Sequence, residues 1–281
     1  MSTAIKRAGP GGSAQGLLLA GLLTLLVIAS LWLFLQRAWW FPTLASAHGA
    51  DSDDLFYITL AVTGVLFVLL QLILAYFAWQ YRDGKAEFRN YRTNRRAEIR
   101  FALVAAIIIF AVDVTLASIG ERAFLKVYGA SPANALNVEV TGEQFAWNIR
   151  YPGKDGTFGA TDLKQISSGN PLGLDANDPV AKDDIVLVNQ LHMPLNRPVR
   201  IQLKSRDVIH SFFIPNFRIR QDAVPGMTIG VWLVPTKAGE YELACTQLCG
   251  LAHYRMRGLV TVEPQQDFDR WLNEQATEGG R

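Results

Sequence analysis

Cys245-Thr246-Gln247-Leu248-Cys249-Gly250-Leu251-Ala252-His253-Tyr254-Arg255-Met256 decides how this chain is read. The stretch holds the only two cysteines among 281 residues, with a histidine and a methionine close behind. Thiolate, imidazole and thioether are the donors that soft or borderline metals select, copper above all. One cysteine with His and Met would describe a mononuclear blue-copper centre. Two cysteines on one tight loop offer two sulfurs that can bridge a pair of copper ions. A second imidazole must then come from elsewhere, and His210 in Asp207-Val208-Ile209-His210-Ser211-Phe212 is the candidate. The competing reading is a disulfide in an exported domain. His210, His253 and Met256 in their places weigh against it.

Working outward from the loop, the sequence from about Leu136 has a period of two. Val199, Ile201 and Leu203 alternate with Arg200, Gln202 and Lys204, as a strand with one buried face requires. Ile229, Val231 and Leu233 repeat the pattern, as do Tyr241, Leu243 and Cys245. Turns such as Pro225-Gly226 and Ala238-Gly239 punctuate these short runs, which predicts an antiparallel sandwich or barrel. Residues 152–184 are rich in Gly, Asp, Asn and Pro and are expected to form a surface insertion between strands. From Gln265 to Glu274, Phe268, Trp271 and Leu272 share one face of a short helix that packs on the sandwich.

At these residues the chain resembles the cytochrome c oxidase subunit II family, whose dinuclear CuA centre uses a histidine followed by C-x-x-x-C-x-x-x-H-x-x-M. Gln221-Asp222-Ala223-Val224-Pro225-Gly226 is similar to the family's T-D-A-x-P-G, and Gly142-Glu143-Gln144-Phe145-Ala146-Trp147 to its G-x-Q-W-x-W. The resemblance covers roughly residues 98–275. It implies a membrane-anchored all-β protein: transmembrane helices, then a cupredoxin-like Greek-key β-sandwich over about 136–264. It implies copper ligands His210, Cys245, Cys249, His253 and Met256, with Gln247 contributing its backbone carbonyl. Such a site is closed to substrate and relays electrons. The implied partners are a cytochrome c-type donor and the catalytic subunit I of a haem–copper oxidase, with electrons received through Phe145 and Trp147. Phe145 stands where many members carry tryptophan. Gln247 replaces the family's magnesium-binding glutamate, and an amide is a poorer ligand for a hard cation. Arg206 occupies a place that is often acidic, which alters the surface on which basic cytochromes dock. No C-x-x-C-H occurs, so no cytochrome c is fused to the chain.

The N-terminal part has a different character. Residues 1–15 read as a disordered polar tail. Leu17–Leu35, Phe56–Trp79 and Phe101–Ile119 are apolar runs long enough to cross a hydrocarbon core of about 30 Å, within a region spanning about 16–122. A cleaved signal peptide ending at Ala45-Ser46-Ala47 competes for the first run, whose length favours a retained helix. Most family members have two spans, so this helix is an addition. Trp39, Trp40 and Phe41 fit an interfacial aromatic belt. Arg82, Lys85, Arg89, Arg92, Arg95, Arg96 and Arg100 mark the second loop as cytoplasmic. Everything after about residue 120 then lies outside a bacterial-type plasma membrane. Glu98 resembles the glutamate at the family's proton-path mouth, and Asp113, inside an apolar run, reads as a subunit-contact residue. His48 and His192 lack companion cysteines and are expected in loops or at the surface. A net charge of +2 gives no global basic field for nucleic acid. Two other functions remain open at this point: the CuA subunit of a nitric oxide reductase, and a membrane-anchored copper carrier or assembly protein.

Overall fold

A computed structural model of the chain describes residues 11–36, 40–82 and 95–278. Residues 1–10 of the expected tail, Trp39 of the aromatic belt, and Lys85, Arg89 and Arg92 of the basic loop lie outside the described residues. Three long helices come first: α1 (Gly11–Gln36), α2 (Gly49–Gln80) and α3 (Arg95–Tyr128). Helix α1 therefore starts inside the stretch expected to be a tail. Each helix is long and apolar enough to span a bilayer. A helix is what such runs must adopt, because hydrocarbon offers no partner to backbone N–H and C=O groups. Their hydroxyls follow the same logic. Thr24, Thr59, Thr63, Thr115 and Ser118 each donate to the carbonyl four residues earlier, at 2.8–2.9 Å.

The chain divides into two compact units, Met1–Trp40 with Asp54–Ile119 and Phe41–Asp53 with Gly120–Arg281. Within the helical unit, α1 comes close to the end of α2 at Gly16, where a Cβ would lie 2.9 Å from Ala78 O and 2.5 Å from the Cβ of Arg82 just beyond that helix. Small residues allow such backbone approach.

The second unit is a β-sandwich with ten strands: β1 (Leu136–Glu143), β2 (Ala146–Tyr151), β3 (Ile185–Val188), β4 (Gln190–Pro194), β5 (Val199–Ser205), β6 (His210–Ile214), β7 (Ile219–Ala223), β8 (Ile229–Leu233), β9 (Gly239–Cys245) and β10 (Arg257–Glu263). One sheet has the order β3-β2-β1-β5-β8 and the other β4-β10-β9-β6-β7. The alternation seen in the sequence appears as buried Val199, Ile201, Leu203, Val231, Leu233 and Leu243. Trp147, Tyr151, Leu191, Met193, Phe212 and Ile214 fill the space between the sheets. Pairing is not wholly antiparallel as expected: β1 runs parallel to β5, and β4 parallel to β10. The chain crosses from β3 in one sheet to β4 in the other and returns as β5 beside β1, so two neighbours share a direction.

Three segments join this core. Helix α4 (Gln265–Glu278) buries Phe268 and lays Trp271 parallel to the His192 ring at 3.9 Å. His192 is thus a packed residue, its Nδ1 2.9 Å from Glu263 Oε1. The insertion between β2 and β3 is pinned by a buried cation rather than lying loose. Arg150 pairs with Asp184, donates to the Gly159 carbonyl at 2.6 Å and lies 3.7 Å from Glu139. The connector before α2 is built in as well. Ala45 is fully buried, its N–H donates to Asn216 O at 2.8 Å, and Ser46 Oγ donates to Phe217 O at 2.8 Å. Arg218 holds Asp53 through two hydrogen bonds (2.7 and 3.1 Å) and covers the Phe41 ring.

Candidate metal centre

The site is assembled from three places. His210 opens β6, Cys245 closes β9, and the loop from Thr246 to Met256 returns the chain to β10. The loop's base is fixed by two backbone bonds, Cys245 N–H to Met256 O and Thr246 N–H to Ser211 O, both 3.1 Å. Its apex carries Leu248 and Leu251 out into solvent.

Inside the loop the donors converge. Cys245 Sγ and Cys249 Sγ lie 3.9 Å apart, both buried and both free thiols. Cys245 Sγ is 4.0 Å from His210 Nδ1 and donates to the Gln247 carbonyl at 3.2 Å. Cys249 Sγ is 3.5 Å from His253 Nδ1 and 3.8 Å from Met256 Sδ. Each sulfur therefore faces one imidazole and one weaker donor. His210, Cys245 and Cys249 form a group whose ligand atoms all lie within 4.8 Å of one another. Gly142 makes room for the imidazole, since a Cβ there would stand 2.8 Å from His210 Cδ2. Soft donors, dry surroundings and short spacings fit a thiophilic metal pair.

The electrostatics agree. Burial pushes the Cys245 thiol up, but hydrogen bonds from His210 and the Ser211 N–H outweigh it and bring it down to about 6. Burial and the neighbouring Cys245 thiolate push the Cys249 thiol up to about 12. Two thiolates this close repel, and cations between them remove that conflict. Burial lowers the His210 pKa, while its bonds to Cys245 and Asp207 raise it by more.

Asp207 is the residue whose part here the sequence did not reveal. Its Oδ1 accepts from His210 Nε2 at 2.8 Å, which leaves Nδ1 facing the thiols. Histidine and carboxylate three residues apart are visible in the sequence, but nothing in that spacing assigns the carboxylate to the imidazole. Arg206 pairs with Glu143, so its charge is offset locally. Trp147 is fully buried, its ring centroid 6.0 Å from that of His210. A docked donor cannot touch it, whereas Phe145 keeps part of its surface exposed. Glu98 lies exposed in the first turn of α3, and Asp113 is exposed further along that helix.

A β-sandwich with two buried thiols and an imidazole placed to hold a metal, in a chain with helices able to span a bilayer, is the class these features define. Residues 136–263 match the family described as "Cytochrome C oxidase subunit II, periplasmic domain". The "Alternative cytochrome c oxidase subunit 2" of Bradyrhizobium diazoefficiens is 36% identical over 262 residues, covering 92% of each chain. Cytochrome c oxidase subunit 2 of Synechocystis is 26% identical over 93% of this chain and 82% of its own. A crystal structure of the periplasmic domain of subunit II from Bradyrhizobium japonicum aligns with a TM-score of 0.40, at 27% identity over 53% of this chain and 99% of that one. The chain belongs to the cytochrome c oxidase subunit II family, membrane components of an oxidoreductase with an extracytoplasmic β-domain.

Proposed function

We propose that the β-domain is the electron-receiving relay of a respiratory terminal oxidase, holding a dinuclear copper centre of the CuA type. The observation that carries this is the pair of buried sulfurs 3.9 Å apart, each with an imidazole Nδ1 and a further donor beside it. His210, Cys245, the Gln247 carbonyl, Cys249, His253 and Met256 would hold the metal. A copper pair held there would supply one-electron transfer with little rearrangement. The protein's own part is to keep the site dry, fix both imidazoles and prevent the thiols from pairing with outside groups. Phe145 would receive electrons from a cytochrome c-type donor, and the haem-bearing catalytic subunit would accept them for oxygen reduction coupled to proton translocation. Gln247 enters through its main chain, so no magnesium is assigned to its amide.

In this reading all three helices are retained, spanning a bacterial-type plasma membrane with Arg95, Arg96 and Arg100 on the cytoplasmic side. Glu98 at that end would admit protons toward the partner subunit. The deciding experiment is copper per chain in the purified full-length protein, with its electron paramagnetic resonance spectrum. Two coppers sharing one unpaired electron support the proposal. A single mononuclear copper, or a Cys245–Cys249 disulfide that binds none, would remove it.

A further inference from the structure

We infer that Gln144 is a positioning residue that braces the two halves of the metal site against each other. The inference rests on the copper reading and goes beyond its ligand set. Gln144 lies in the turn between β1 and β2, on the sheet opposite to the one that supplies His210 and Cys245. Its side-chain Nε2 donates to the carbonyl of Cys249 at 2.5 Å. Its backbone N–H donates to Asp207 Oδ2 at 2.7 Å, and Asp207 Oδ1 accepts from His210 Nε2 at 2.8 Å. One residue thus links the second thiol's backbone to the first imidazole through a single carboxylate.

The surrounding chain is shaped to admit this link. Gly250 follows Cys249 with φ +142°, a backbone conformation that side chains rarely adopt. A Cβ at that position would stand 2.6 Å from Gln144 Nε2 and 3.0 Å from the Phe145 ring. Glycine is therefore what lets the turn press onto the loop. Among the described residues, the Gln144–Cys249 bond is the only hydrogen bond joining the loop's apex to the other sheet.

The consequence is an asymmetry that Gln144 corrects. Cys245 is held by β9 and by the two backbone bonds at the loop's base. Cys249 lies beside exposed Leu248 at the loop's apex, and among the described residues the brace is the only hydrogen bond made to its main chain. The two ends already differ, one with the Gln247 carbonyl and the other with Met256 Sδ, and loosening one thiol would shift the sharing of an electron between them further. Groups that orient metal ligands are worth about 10-fold or more in affinity when removed.

The test uses Gln144→Glu in the full-length protein, a replacement of nearly the same shape whose carboxylate cannot donate to the Cys249 carbonyl. We expect two coppers per chain at saturation, an affinity about 10-fold weaker, and a hyperfine pattern showing more unequal sharing between the two nuclei. Gln144→Leu should do the same. An unchanged pattern and affinity in the Glu variant would overturn the inference, and so would a lower unfolding temperature of the metal-free protein with unchanged copper properties. If the unaltered chain binds no copper pair, the relay reading fails instead. The brace is then judged on the metal-free protein, where alkylation of Cys249 should accelerate several-fold in Gln144→Glu while that of Cys245 stays constant. Equal rates would overturn it there as well.

Discussion

The helical unit and the β-domain are built by opposite rules. In the β-domain the large apolar residues are inside: Trp147, Phe212, Phe217 and Phe268 are at most 1% exposed. In the helices they are outside, and no more than 6% of each spanning window is buried. The β-domain therefore finds its stabilising contacts within itself. The helices, as membrane spans, would find theirs in lipid and in partner helices. A site that must hold several donors to within fractions of an ångström belongs on the self-sufficient unit.

The largest effect should come from the loop itself. Cys249→Ser removes a sulfur that the proposed copper pair would share, and the dinuclear spectrum should vanish completely while the chain inserts and the sandwich folds. Circular dichroism and metal analysis of the variant check both halves of that statement. Electron transfer at the unaltered rate would break the link between the loop and the relay.

Next in size is a test of where the β-domain ends. Ala45 belongs to the sandwich core although it precedes α2. Ala45→Leu should overpack that site and destabilise the β-domain by about 1–3 kcal/mol. Ala47→Leu, at an exposed position two residues on, should be neutral. Unfolding midpoints of the full chain in detergent distinguish the two, and equal midpoints would mean that the connector is only draped over the surface.

These positions also show what the sequence made legible. Apolar runs such as Leu17–Leu35 announce helices because length alone meets the bilayer's requirement. Alternation at Val199, Ile201 and Leu203 announces a strand and its buried face. It cannot name the neighbouring strand, so the β1–β5 and β4–β10 parallel pairs were invisible. Ala45-Ser46-Ala47 illustrates a different loss, since small residues satisfy a cleavage signal and a tight core alike. The convergence of Cys245, Cys249, His253 and Met256 was legible because these residues are local in sequence. Asp207 and Gln144 were not, because a hydrogen-bond partner has no fixed spacing from what it holds.

The helical unit supplies the next two effects. Glu98→Gln should slow proton uptake by the assembled oxidase several-fold at unchanged copper content. Unchanged turnover would return Glu98 to the role of a solvated acid. Asp113 stands in the apolar part of α3, where a carboxylate costs about 2.5–3.5 kcal/mol at mid-bilayer. We expect it to meet a donor on a partner helix. Asp113→Leu should then reduce co-purification with the catalytic subunit several-fold without altering the β-domain's spectrum. Undiminished co-purification would place Asp113 against lipid or water.

The smallest effect sharpens the boundary between the regions. His48 sits just before α2 with its ring edge-on to Trp232 at 4.3 Å, and its Nδ1 is buried without a hydrogen-bond partner among the described residues. Burial lowers its pKa from 6.5, aided by Lys126 and opposed by Asp51. The sign follows directly. Above pH 6.5 the ring is neutral in folded and unfolded chains, and its contribution to stability is complete. As pH falls below 6.5 the unfolded chain takes up the proton first, and that contribution is lost through the lowered folded pKa. His48→Gln should therefore flatten the decline of the β-domain's unfolding temperature between pH 6.5 and 5 while matching the unaltered chain's slope above pH 7. Parallel curves throughout would show that His48 stays solvated, and that the sandwich does not close over the start of α2.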